Sequence, residues 1–324
     1  MNTQHDWLVA LMDMLTHLGD GPIQIGLIAV VYWGIDRHLG VRMMCLLMFS
    51  GTMNGLLKQS FAMPRPGWVD AELLVTQTPS SFGMPSGHAQ SAVTWLLWPL
   101  TRGGASAWAA AVLYFTLIGW SRVVIGVHSW IQVIIGWALG LCCVYAFVWA
   151  ERLASDRLKE LSGTALVIVL GSICLGTVYM TLETIVATQG GVGMEAWLQY
   201  AKRMGIAETP GPVGLRSIVA PLGCLAGFAI GELYVGRRCG RLPTELNLRA
   251  ARCLLGLTLV AAVYVLVHAV LPVSGESTSQ LVCRFFGAGA LGATVSALAP
   301  WLFSRVGLGG GEEPEGADDA PDPA

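Results

Sequence analysis

Charge is what this chain lacks most. Only 12% of its 324 residues are Asp, Glu, Lys or Arg, against about 25% in a typical soluble domain. That excludes a soluble enzyme built around an ordinary core. The formal net charge is −2 and no long Lys/Arg run occurs, which excludes a polybasic nucleic-acid binder. The eight cysteines (45, 142, 143, 174, 224, 239, 253 and 283) form no CxxC pair and sit mostly in apolar runs. They read as small packing residues, not as a disulfide framework or a zinc site. The opening Met-Asn-Thr-Gln-His-Asp carries no basic stretch, so no cleavable signal peptide is expected. No internal repeat of about 20 to 50 residues is visible.

What is present is apolar. Hydrophobic residues make up 54% of the chain, 12 tryptophans among them, 40 glycines are spread through it besides, and the mean hydropathy is +0.61. A bilayer-spanning helix takes about 20 mostly apolar residues. Nine candidate spans follow, near 22–36, 39–60, 87–102, 104–121, 128–150, 163–187, 212–236, 250–272 and 279–304. The expected fold is an all-α polytopic integral membrane protein. Residues 6–18 read as an amphipathic interfacial helix inside an N-terminal segment, 1–21. Residues 22–187 form a membrane core. Residues 188–304 add an outer loop and three more helices. The acidic, proline-containing tail, 305–324, is expected to be disordered.

Lysine and arginine placement sets the orientation. With the 36–42 turn on the cytoplasmic side, twelve of the nineteen basic residues fall there. This predicts the N-terminus outside and the C-terminus in the cytoplasm. Small residues at four-residue spacing, Gly136 with Gly140 and Gly289 with Ala293, predict close helix packing.

Three segments bring polar residues to the same outer face: Lys58 to Pro66, Pro85-Ser86-Gly87-His88, and Ser121-Arg122 followed by His128. Charge at the boundary of so apolar a chain is expensive. Three cations and two histidines meet there with no carboxylate in the motifs, and such a cluster calls for an anion. Ser86, Gly87 and His88 open a helix, where free N–H groups and the positive helix end favour phosphate. Gly87 allows close backbone approach. Arg65 and Arg122 can each hold two phosphate oxygens, and Lys58 adds a point charge. One histidine can attack phosphorus while the other protonates the leaving oxygen.

Lys58-x6-Arg65-Pro66, Pro85-Ser86-Gly87-His88 and Ser121-Arg122-x5-His128 resemble the three motifs of the type 2 phosphatidic-acid phosphatase (PAP2) superfamily. The resemblance covers residues 58 to 132 and implies a six-helix core reaching about residue 187. It implies His128 as nucleophile and His88 as general acid. It implies Lys58, Arg65, Ser86, Gly87 and Arg122 as the phosphate cradle. It implies no metal and no cofactor.

One position departs. The family pattern places Asp four residues after the nucleophilic histidine, and here Gln132 stands there. Positions i and i+4 share a helix face, so the Gln132 amide oxygen can accept from Nδ1–H of His128 and fix its tautomer. It brings no charge to steady an imidazolium. The glucose-6-phosphatase branch resembles this chain in that glutamine and in a nine-span layout with three extra helices.

The expected function is therefore a metal-independent membrane phosphatase acting through a phosphohistidine. Phosphatidic acid, phosphatidylglycerophosphate and undecaprenyl diphosphate all fit a site at the outer membrane boundary. A sugar phosphate is the alternative that Gln132 prompts. A lipid phosphotransferase and a non-catalytic lipid-phosphate binder are two more. The expected partners are the phosphorylated substrate and membrane lipids, not nucleic acid, with the oligomeric state open. The expected location is an integral position in a bacterial inner membrane, with the site on the periplasmic or lumenal side.

Overall fold

A computed structural model describes residues 6–73, 81–160, 162–188, 194–203, 213–235, 243 and 245–309. Among these the chain is helical, with no strand. In chain order the α-helices are α1 (Asp6–Thr16), α2 (Gly21–Val30), α3 (Arg37–Phe61), α4 (Pro66–Val69), α5 (Gly87–Val93), α6 (Leu97–Arg102) and α7 (Ala105–Val124). They continue with α8 (Trp130–Glu160), α9 (Gly163–Thr188), α10 (Met194–Arg203), α11 (Arg216–Tyr234), α12 (Leu246–Val270), α13 (Thr278–Ala293) and α14 (Ala299–Arg305).

Seven helical segments among the described residues are long and apolar enough to cross a membrane. An eighth arises if the pair 7–19 and 21–35, bent by 60° at Asp20, counts as one span. Two of the nine expected spans are therefore not single long helices. Residues 22–36 are the second arm of the bent pair. Residues 87–102 are α5 and α6 joined by a 3₁₀ turn, Thr94–Leu96, too short to span unaided. From residue 310 on, the expected disordered tail lies outside the described residues. Before it, the chain folds back so that Leu308 O accepts from Arg252 Nε.

The C-terminal helices are not a separate body. One buried cluster takes Met44 from α3, Leu97 from α6, Val144 from α8, Phe228 from α11, Val295 from the turn after α13 and Phe303 from α14. The spaced glycines do what their spacing predicts. A Cβ on Gly227 of α11 would lie 1.9 Å from Gly289 O of α13. Cβ atoms on Gly136 and Gly140 of α8 would lie 2.8 Å from Ser86 O and 2.7 Å from Gln90 O. Both helix pairs thus pack backbone to backbone, and the second contact seats α5 against α8.

Most charged groups far from the motifs are satisfied. Arg42 binds both Glu151 oxygens at 2.6 and 2.9 Å, and Arg102 pairs with Asp36. Glu232 holds Arg37 at 2.8 Å and Tyr32 at 2.6 Å. His268 and Arg284 reach the carbonyls of Tyr264 and Val273. Trp33 and Trp68 are buried.

Candidate active site

The three motifs meet at one end of the bundle. Lys58 lies in the last turn of α3, which ends at Ala62 in the left-handed region (φ 44°). Pro66 opens α4, and the residue before a proline is pushed to extended backbone. Arg65 has φ −82° and ψ 156°. The guanidinium is thereby turned back across the bundle end. Its Nε donates to Ser81 O at 2.8 Å, Nη2 to Ser81 Oγ at 2.9 Å and Nη1 to Val127 O at 3.0 Å. Lys58 Nζ donates to Phe82 O at 2.5 Å. Both cations therefore bind carbonyls and a hydroxyl instead of a carboxylate.

His128 sits in the connection 125–129 between α7 and α8, with its N–H on Arg122 O at 3.2 Å. Its imidazole is buried and its orientation follows from one carbonyl. Gln132 Nε2 is 2.8 Å from Pro64 O. A carbonyl only accepts, so the amide NH2 faces Pro64 and the amide oxygen faces His128. Gln132 Oε1 lies 3.1 Å from His128 Nδ1 and 3.3 Å from Ser129 N. Nδ1 therefore carries the proton and Nε2 the lone pair, 3.0 Å from Arg65 Nη1. Burial first, and then Arg65, Lys58 and Arg122, hold the His128 pKa well below the ordinary imidazole value. The ring is neutral at physiological pH, as a nucleophile requires.

Ser86 precedes α5, and its N–H is held by Gln132 O at 3.1 Å. Its Oγ is buried without a hydrogen-bond partner, and so is Arg122 Nε. Buried polar atoms left unpaired are costly, and these two stand beside the motif cations. A bound oxyanion would satisfy both. A Cβ on Gly87 would lie 3.0 Å from Asn54 Oδ1, a tight contact that this glycine avoids. All eight expected site residues are thus gathered here.

Several neighbours were not visible in the motifs. Asn54 Nδ2 donates to Gln90 Oε1 at 2.9 Å, and Gln90 Nε2 to Ser50 O at 3.0 Å. This buried chain pins α5 to α3. Thr16 Oγ1 accepts from Arg122 Nη1 at 2.7 Å. Asp20 Oδ1 lies 2.9 Å from His88 Nε2. The expected interfacial helix is thus docked on the protein: Met12 packs with Ile125 and Val127. Beside this corner open two apolar grooves of about 290 and 510 Å³, which share Pro22, Ile25, Tyr264 and Leu291.

An all-helical membrane bundle that gathers three cations and an oriented imidazole at one end fits a membrane-bound phosphoric-ester hydrolase. The comparisons agree. The chain belongs to the PAP2 superfamily: residues 39–155 match the model of that superfamily, and residues 219–312 match that of the PAP2 superfamily phosphatase transmembrane extension. Phosphatidylglycerophosphatase B of Bacillus subtilis is 32% identical over 152 residues, 42% of this chain and 71% of that protein. Undecaprenyl-diphosphatase of Sulfolobus acidocaldarius is 29% identical over 105 residues, 32% of this chain and 51% of that protein. Sphingosine-1-phosphate phosphatase 1 of Rattus norvegicus is 23% identical over 313 residues, 90% of this chain and 71% of that protein. The chain thus spans about half the length of the archaeal relative. No solved structure matches significantly.

Proposed function

We propose that this protein hydrolyses the phosphate ester or diphosphate of a membrane lipid, through a phosphohistidine on His128. The observation that carries the reading is the unpaired pair Ser86 Oγ and Arg122 Nε beside a neutral, oriented imidazole. Lys58, Arg65, Arg122, Ser86 and the N–H groups at Gly87 and His88 take the phosphate oxygens. His128 Nε2 attacks phosphorus in line. The bond from phosphorus to the lipid oxygen breaks, and His88 gives that oxygen a proton. In the second step His88 takes a proton from water, the hydroxide attacks phosphorus, and the P–N bond breaks to free His128. Fixed cations supply most of the charge stabilisation.

The lipid choice rests on the surroundings. The site lies at the end of a membrane bundle, and apolar grooves begin at Gly21 and Pro22, next to the Asp20 that touches His88. A lipid alcohol leaving from the His88 side has apolar surface to lie on. These three relatives are named for lipid phosphates or diphosphates. The excess of basic residues at the opposite end supports a site on the outer, periplasmic or lumenal, side, with the C-terminus in the cytoplasm. Residues 22–187 act as the catalytic core, and 188–304 as an extension that walls the grooves.

The test is phosphate release by purified protein from phosphatidic acid, phosphatidylglycerophosphate, undecaprenyl diphosphate and glucose 6-phosphate, with EDTA present throughout. The expected result is release from at least one lipid at a rate EDTA leaves unchanged. Release from glucose 6-phosphate alone would replace the lipid reading with the sugar-phosphate one. Label passing to an added lipid instead of water would identify a phosphotransferase.

A packing prediction goes with this. Gly136→Val puts branched carbon where a Cβ is already 2.8 Å from Ser86 O. The strand of backbone carrying Ser86 to His88 must shift, and a shift of about 1 Å at a reacting group lowers rate about 100-fold. Melting and phosphate-release assays on Gly136→Val should show a lowered Tm and that loss, whereas Gly171→Val, where a Cβ meets nothing within 4 Å, should retain activity.

A further inference from the structure

We propose that Asp20, from the bend between α1 and α2, is a positioning residue for the general acid His88, so that the N-terminal segment completes the active site. The inference rests on the hydrolase reading above and extends it to a residue outside the three motifs and ahead of the matched segment 39–155.

The contact is direct. Asp20 Oδ1 lies 2.9 Å from His88 Nε2, and Asp20 Oδ2 lies 2.7 Å from His17 Nδ1. A carboxylate accepts, so Nε2 of His88 is the protonated nitrogen on that side, and the proton for the leaving oxygen comes from Nδ1. The bend is held where it is. Gln24 Nε2 donates to Gly19 O at 2.9 Å and to Ser91 Oγ at 2.8 Å, which ties α2 to α5 one turn past His88. Tyr114 OH donates to Leu18 O at 2.8 Å. Thr16 meets Arg122 at 2.7 Å. A Cβ on Gly19 would lie 2.7 Å from His88 Cδ2, so the bend fits against the ring itself.

The chemistry gives this carboxylate a task. A general acid must hold a proton when substrate arrives. The charged groups around His88 are Arg122 from α7, Arg65 from the loop after α3, and Asp20, with His17 on the far oxygen of Asp20 and Asp13 facing Arg122. Burial, and then the guanidiniums of Arg122 and Arg65, hold the His88 pKa below the ordinary imidazole value. Of the groups facing the ring, Asp20 alone opposes them. It offsets part of that lowering, in a site that must otherwise be cationic to hold phosphate.

Asp20→Asn keeps the size of the side chain and removes the charge. Full-length variant and wild type are compared in detergent on the lipid of the panel that wild type hydrolyses fastest, and on p-nitrophenyl phosphate, whose leaving group needs no acid. The expected loss of kcat on the lipid is about 100-fold, with KM within about threefold of wild type. On the nitrophenyl ester the loss is much smaller. The fall of kcat at high pH, which reports deprotonation of the acid, moves to lower pH in the variant. In a His88→Ala background, Asp20→Asn has no further effect on the lipid. Equal losses on both leaving groups, an unmoved pH profile, or a full additional loss in His88→Ala would each overturn the assignment and leave the hydrolase reading intact. Wild type inactive on every panel member overturns that reading instead.

Discussion

His128→Ala releases no lipid phosphate above a loss on the order of 10⁴-fold or more, the scale on which a nucleophile's removal is felt, yet it still binds phosphate. The two halves of this result have different sources. Turnover needs the Nε2 lone pair, which the Pro64–Gln132–Nδ1 chain keeps unprotonated. Binding needs the cations, whose anchors are mostly backbone: Lys58 on Phe82 O, Arg65 on Ser81 O and Val127 O. Those anchors survive the substitution. Equilibrium binding of orthovanadate or inorganic phosphate, measured beside phosphate release, separates the two. Retained turnover in His128→Ala would remove the phosphohistidine from the mechanism.

Arg65→Lys loses about 1000-fold in kcat/KM, or about 4 kcal/mol at 1.36 kcal/mol per tenfold, although the charge is kept. Arginine is planar and presents several donors in fixed directions, while lysine offers one compact ammonium. Here the guanidinium binds Ser81 twice, Val127 O and His128 Nε2. It thereby ties the segment before motif two to the loop of motif three. A lysine can satisfy one of these contacts. The expected pattern is a raised KM together with a lowered kcat, since Arg65 both holds the anion and sets the position of the nucleophile. A change in KM alone would make Arg65 a binding residue and nothing more.

What was legible in the sequence was local. Lys58 and Arg65 are separated by a helix end and a proline, Ser86 to His88 open a helix, and Arg122 and His128 flank a tight connection. Each pair is set by backbone within a few residues, so spacing reported it. Gln132 was legible for the same reason, being four residues from His128. Its grip on Pro64 O was not, because that partner lies 68 residues away in sequence. Asp20 and Thr16 were hidden more thoroughly. Their segment has the apolar periodicity of an interfacial helix, and nothing local says that its apolar face covers Ile125 and Val127 rather than lipid. The span count is what hydropathy alone leaves open. Residues 87–102 form α5 and α6 broken by a 3₁₀ turn, with α5 packed on α3 and α8. The extension meets the core at Gly55 of α3, where a Cβ would lie 2.5 Å from Ile218 Cγ1 of α11, another contact that hydropathy does not report.

The most direct test of the central claim is to trap the intermediate. Wild-type protein is mixed with lipid carrying ³²P in its phosphate, in the presence of EDTA, quenched in alkali within the first turnover, and digested for mapping. The account predicts an acid-labile, alkali-stable label on the peptide carrying His128, absent from His128→Ala and accumulating when water attack is slowed. Label on His88 or on a serine, or phosphate release in a full burst with no labelled protein at any time, would contradict it.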